Sequence, residues 1–182
     1  MFYVQIPSGG VRLECLDVLQ AIFERRSIRK YRDDKIGKEV IMKLLEAARW
    51  APSSKNRQPW EFIVIDDKEK IELIARAKGQ SWIAEAPLII VAISDPKISP
   101  IYHMSDTAMA LHNISLAALK LGLGSCWIGI YEFEEVKKAL GIPQDKVLVG
   151  ALAVGYPDEK PPARERKPIP KIAYYNVYGN RF

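Results

Sequence analysis

Apolar residues at Val40, Ile41, Leu44, Leu45 and Ala48 recur at the three- and four-residue spacing of a single helix face, which predicts an amphipathic helix over residues 38–50. Pro52 ends it at Ala51, because a proline ring disfavours helical geometry in the residue before it. A polar loop follows over residues 52–59, then a strand over 61–65 closed by Asp66 and Asp67, then a helix over 68–77. The run P-L-I-I-V-A-I-S at residues 87–94 is apolar at almost every position. It reads as a strand buried on both faces and is stopped by Asp95-Pro96. A long helix is expected over 105–121, capped by Ser105 or Asp106 and ended by Gly122 and Gly124. An extended segment over 125–130, a helix over 133–140 and a third long strand over 146–155 complete the pattern, and upstream a helix is expected over 16–24. Past Tyr156 the periodicity stops. Prolines 157, 161, 162, 168 and 170 alternate with charges, and Tyr174, Tyr175, Tyr178 and Phe182 follow. Such a tail is expected to run extended and to fold poorly on itself, and its aromatics need an apolar surface, which a neighbouring subunit would supply.

Length and composition narrow the class. A chain of 182 residues that is 48% hydrophobic fits one domain over residues 1–182, with 157–182 as the extended tail. Cys15 and Cys126 stand far apart without metal-ligand spacing, so both are read as buried small apolar residues. A reducing cytoplasm is the expected location, and no secretory signal is expected. The most apolar long stretch, residues 108–121, is interrupted by His112, Asn113, Ser115 and Lys120, which fits a buried helix and not a membrane span. His103 and His112 lack a ligand cluster and are expected to be ordinary packing or surface residues, with no metal site.

The net charge of +5 is concentrated in two places. Residues 25–32 hold Arg25, Arg26, Arg29, Lys30 and Arg32 without an acid, and the tail from Lys160 holds Arg164, Arg166, Lys167, Lys171 and Arg181 against Glu165 alone. Two explanations fit: a surface tracking nucleic-acid phosphates, or a dense arginine pocket for one phosphomonoester. The loop A-P-S-S-K-N-R-Q-P-W at 51–60 adds small hydroxyls and amides on a proline-stiffened frame. No general acid, base or nucleophile stands out nearby, which favours a bound cofactor that carries the chemistry itself. Gly122-Leu123-Gly124 is not a dinucleotide fingerprint, because the third glycine is missing and the pair closes a helix instead of opening one.

Four segments in order carry a resemblance: R-R-S-I-R-K-Y from Arg25, A-P-S-S-K-N-R-Q-P-W-E-F-I-V from Ala51, L-G-L-G-S-C-W-I-G from Leu121, and G-Y-P-D-E-K-P-P-A-R-E-R-K-P from Gly155. They resemble the successive signatures of the FMN-dependent nitroreductase family. The resemblance implies an α+β, three-layer sandwich with a mainly antiparallel central sheet flanked by helices, in an intertwined homodimer with one FMN in each of two shared clefts. It implies hydride transfer from NADH or NADPH through FMN to a small organic acceptor (nitroaromatic, quinone or flavin) by a ping-pong mechanism. Neither a nucleic-acid nor a membrane partner is expected.

Carried over by position, Arg25, Arg26 and Ser27 resemble the residues that hold the FMN phosphate and ribityl chain, helped by Arg164 and Arg166. Arg29 resembles the cation facing the pyrimidine edge of the flavin, where positive charge favours the reduced anionic state. Pro52, Ser53, Ser54, Asn56 and Gln58 resemble the loop that reaches the partner subunit's flavin. Trp127, Ile128 and Gly129 resemble the strand whose backbone passes near the flavin N5. Gln80 is a candidate for a second polar contact to the pyrimidine ring. Larger family members insert a helical roof over the substrate cleft where this chain has only residues 95–104. Other outcomes remain on the sequence alone: an FMN binder that does not turn over, or another reaction of the superfamily such as reductive dehalogenation or flavin fragmentation.

Overall fold

The apolar run predicted as a doubly buried strand owes its pattern to helices on both sides. In the computed structural model, which describes residues 18–131 and 133–182, it is β2 (Leu88–Ser94), buried at every position. Leu88, Ile90 and Ala92 face one hydrophobic cluster and Ile89, Val91 and Ile93 the other. The first cluster is closed by α2 (Lys38–Arg49) through Leu44 and Ala48, and by α4 (His103–Lys120) through Ala110, Leu111, Ile114 and Ala118. The second is closed by α3 (Lys68–Lys78) through Ile71, Ile74 and Ala75, and by α5 (Glu134–Ala139) through Val136. The sheet also contains β1 (Trp60–Ile65), β3 (Gly124–Ile128) and β4 (Val147–Gly155), in the order β1-β2-β4-β3, and every pairing is antiparallel. This is the expected α+β sandwich of three layers. A short helix, α1 (Val18–Glu24), lies against α4. The predicted start of that helix at residue 16 and the expected burial of Cys15 lie outside the described residues.

Two expectations need correction. The long helix begins at His103, not at Ser105 or Asp106, and no side chain caps it. The Asp106 carboxylate is instead buried and accepts the Ser54 N–H at 3.1 Å, so the helix is tied to the loop after α2. The connection 95–102 is a tight turn in which the Ile98 and Ser99 N–H groups donate to the Asp95 carbonyl. It is riveted by Lys146, whose ammonium meets Glu61 at 2.5 Å and Asp95 at 2.8 Å, and it carries no roof. The end of the tail does fold on itself, because Asn176 and Gly179 adopt positive φ of 64° and 98° and allow a tight reversal. Tyr174 and Arg181 then form an antiparallel bridge, with the Arg181 guanidinium 4.9 Å from the Tyr174 ring centre.

Candidate cofactor site

Arg25 ends the last turn of α1, its N–H donating to the Ala21 carbonyl at 3.0 Å, and the chain then straightens along the free edge of β3. Ser27 forms a single parallel bridge with Ser125, and the Ile28 N–H donates to the Ser125 carbonyl at 3.1 Å. The tail leaving β4 pairs with the same segment from outside. Arg32 N–H donates to the Tyr156 carbonyl at 2.9 Å, Asp158 N–H to the Lys30 carbonyl at 3.0 Å, and the Glu159 carboxylate accepts both the Arg29 and the Lys30 N–H. Glu159 gave no sequence signal beyond being an acid near a basic run. Pro161 and Pro162 fix the continuing backbone in an extended path toward the first basic segment.

The two basic segments thereby close on one another. Arg25, Arg26, Ser27 and Arg29 line one side of a cavity of about 130 Å³, with Arg164 and Arg166 on the other and the two prolines between. Among the described residues, no acidic side chain lines it. That volume suits a phosphate group and is well below the roughly 300 Å³ at which pockets for whole organic ligands begin. Arg26 is held by donation to the Phe23 carbonyl at 2.6 Å and to the Arg25 carbonyl at 3.0 Å, and Arg166 by donation to the Arg164 carbonyl at 3.1 Å. Guanidinium groups already bound to backbone carbonyls keep further N–H donors for an anion, and Arg carries five. The fit to a phosphomonoester dianion rests on this donor set.

The field of the site reaches an exposed histidine on α4 and a buried thiol on β3. Partial desolvation, with a smaller contribution from Arg25, lowers the pKa of His112; burial raises that of the Cys126 thiol, against opposing effects of Arg29, Ser27 and Arg25. Cys126 is buried, as expected for a packing residue. A larger cavity of about 600 Å³ adjoins, sharing Arg25 and Arg26, with Ile28, Leu119 and Leu123 among its lining. The hydroxyls of Ser115 and Ser125, 2.9 Å apart, also line it.

Other candidates lie elsewhere. Pro52, Ser53, Ser54, Asn56 and Gln58 do not line the arginine cavity. Their loop is shaped by non-glycine residues in the left-handed region, Lys55, Asn56 and Gln58, with φ of 53°, 55° and 50°. Ser53 Oγ accepts the Gln58 N–H at 3.0 Å, and the Gln58 amide donates to Asn56. The Trp127 ring packs across Gly150 on the α2 and α4 side of the sheet, so only the backbone of Trp127, Ile128 and Gly129 can serve a ligand at the β3 edge. Among the described residues, no group of three or more His, Cys, Asp or Glu side chains could hold a metal ion.

Gly124, read from the sequence as a helix stop, has a second use. A Cβ there would lie 2.7 Å from Ile28 Cγ1 and 2.8 Å from Ile28 Cβ, so the basic segment sits directly on its backbone. Gly124→Ala must push that segment outward. Overpacking of this kind costs about 1–3 kcal/mol, equivalent to a melting temperature lower by roughly 2–12 °C in a domain of this size. Affinity for a phosphorylated ligand should fall with it. Thermal melts and ligand titration check this, and an unchanged variant would show that the contact does not position the arginines.

An α+β sandwich that holds an arginine-lined, phosphate-sized pocket at one sheet edge is built to hold a phosphorylated cofactor. The sequence model of the nitroreductase family matches residues 22–82 and 74–156. The chain belongs to the nitroreductase family. A relative from Archaeoglobus fulgidus, named "Putative NADH dehydrogenase/NAD(P)H nitroreductase", is 45% identical over 154 residues, covering 79% of this chain and 88% of the relative. A 5,6-dimethylbenzimidazole synthase from Rhodospirillum rubrum is 30% identical over 190 residues, covering 86% of this chain and 87% of its own length. Among solved structures, an FMN-dependent nitroreductase from Clostridium difficile matches with a TM-score of 0.79 at 34% identity, covering 88% of this chain and 99% of that one.

Proposed function

We propose that this chain is an FMN-dependent oxidoreductase that uses NADH or NADPH to reduce a small organic acceptor (nitroaromatic, quinone or flavin) by a ping-pong mechanism. The observation that carries the proposal is the closure of two basic segments, 25–29 and 164–166, around one phosphate-sized cavity. The relatives' names supply the nicotinamide and the FMN. FMN held there would supply the two-electron chemistry that links the nicotinamide to the acceptor. The protein's part is grip, orientation and charge. Arg25, Arg26, Ser27, Arg164 and Arg166 hold the phosphate and ribityl end, with bidentate forks suited to phosphate oxygens. Arg29 places a fixed positive charge at the pyrimidine edge. The backbone of Trp127, Ile128 and Gly129 borders the ring, and Pro52, Ser53, Ser54, Asn56 and Gln58 serve the flavin of a partner subunit.

The working unit in this reading is a homodimer of single-domain chains, in which the start of the 157–182 tail stays on its own chain, paired with residues 30–32 and lining the arginine cavity, and its aromatic end packs on the partner. Exposed apolar side chains support it: Val18, Leu19, Ile22 and Phe23 on α1, Met104 and Met109 on α4, and the tail aromatics. No helix among the described residues is long and apolar enough to cross a membrane, and a cytoplasmic location is proposed. The short 95–102 turn favours an open acceptor site or one that the partner completes.

Purified protein should be yellow, and its blue absorption band should bleach anaerobically on adding NADH or NADPH. Flavin released by heat should chromatograph as FMN; FAD as the dominant species would overturn the assignment. A yellow protein that neither nicotinamide reduces would be a binder without turnover.

A further inference from the structure

Arg29 is exposed and lines the phosphate-sized cavity, yet its main chain and its side chain are held by different parts of the fold. The Glu159 carboxylate accepts its N–H from the tail. Its guanidinium carbon lies 5.5 Å from the centre of the Trp82 ring, a cation–π contact from an element on the other side of the sequence. Trp82 is itself fixed. Its Nε1–H donates to Gln80 Oε1 at 3.2 Å, and its ring packs against the cluster containing Ile83 and Ile128. Gln80 in turn starts the turn Ser81–Glu85, with its N–H donating to the Ala75 carbonyl at 3.0 Å and its carbonyl accepting the Ile83 N–H at 3.2 Å. The indole is therefore a rigid platform continuous with α3.

We propose that Trp82 is a positioning residue: its ring, locked by Gln80, holds the Arg29 guanidinium at one place beside the cofactor and so sets how strongly that charge favours the reduced state. The inference rests on the reading that Arg29 faces the pyrimidine edge of FMN. A long arginine side chain on the surface otherwise spreads over many rotamers, and an interaction made in only one of them is diluted by the fraction of time spent there. Gln80 then acts on the indole, not on the flavin.

A cation–π contact at an exposed site is worth a factor of about two to five in population. Trp82→Leu should therefore weaken the preference for reduced over oxidised FMN by about threefold, which is about 14 mV in a two-electron couple where tenfold is about 30 mV. Trp82→Phe, which keeps a ring of weaker face charge, should give a smaller shift in the same direction. The decisive readout is the double-mutant cycle. On an Arg29→Leu background, neither Trp82 substitution should move the midpoint potential further. Affinity for oxidised FMN should change little, whereas a merely structural role for Trp82 would weaken both redox states together and leave the potential alone. The midpoint potential, measured by spectroelectrochemical titration at saturating FMN, separates the cases. If Arg29→Leu leaves the potential unchanged, the reading of Arg29 fails. If Arg29→Leu shifts it but the Trp82 variants do not, or if their shifts persist without Arg29, the positioning role of Trp82 is overturned. Should the Leu variant not fold, the Phe variant alone decides by the same criterion.

Discussion

Replacing Arg29 by Leu will lower the FMN midpoint potential by roughly 30–60 mV. A hydrogen bond to a charged group contributes about 1.5–3 kcal/mol, and in a two-electron couple about 30 mV corresponds to 1.4 kcal/mol. The sign follows from where the charge acts: a cation beside the pyrimidine edge stabilises the reduced, anionic flavin more than the neutral oxidised one, and its loss makes reduction harder. Arg166 gives the contrast. It lines the same phosphate-sized cavity as Arg29, but its guanidinium is tied to the Arg164 carbonyl whereas that of Arg29 is turned onto the Trp82 ring, and the phosphate carries the same charge in both redox states. Replacing Arg166 by Leu will weaken FMN binding about tenfold or more while leaving the potential nearly where it was. Titrating both variants at saturating flavin tests the division of labour. Equal potentials for the wild-type and Arg29→Leu proteins would remove Arg29 from the ring.

Deleting the chain from Ala173 onward will weaken the dimer by about a hundredfold or more and release FMN in the same titration. Tyr178 and Phe182 are 90% and 66% exposed in the single chain, and Val177 is 65% exposed. Burying a large apolar side chain gains about 1.5–3 kcal/mol, so two such groups account for at least the two decades stated. FMN is expected to leave together with the partner because, in the proposed dimer, the loop 52–58 serves the flavin of the other subunit; it does not line the arginine cavity of its own chain. Sedimentation and flavin fluorescence on the same samples check the coupling. A truncated monomer that keeps a full complement of flavin would break it.

The layers of the fold were legible because they depend on local pattern. Leu88 through Ser94 could only be a strand covered on both sides, and the 3.6-residue spacing of Val40, Leu44 and Ala48 left one face for the core. What could not be read depended on contacts distant in sequence. Asp106 has the chemistry of a helix cap, yet its carboxylate is taken by the Ser54 N–H. Gly124 looked like a helix terminator, and only its closeness to Ile28 shows why a side chain is excluded there. The slip in register between Ala92 and Ile93, against β4, left no trace in an unbroken apolar run. For the site, residue type was enough to mark the arginines. Their meeting was expected from the family resemblance alone and not from the local pattern, because it is made by the pairing of residues 156–159 with 30–32 and by one carboxylate, Glu159. The Trp82 platform was not legible, since tryptophans packed in a core and tryptophans under a guanidinium look alike in a sequence.

The split construction of the arginine cavity has a consequence for biosynthesis. Its first wall ends at Arg29 and its second begins at Arg164, so a ribosome adding about 5–20 residues per second leaves the first wall without the second for roughly 7–30 s. Through that interval Arg25 and Arg26 lack the opposite wall that Arg164 and Arg166 supply. Flavin capture by the complete cavity is thereby placed after residues 164–166 have emerged.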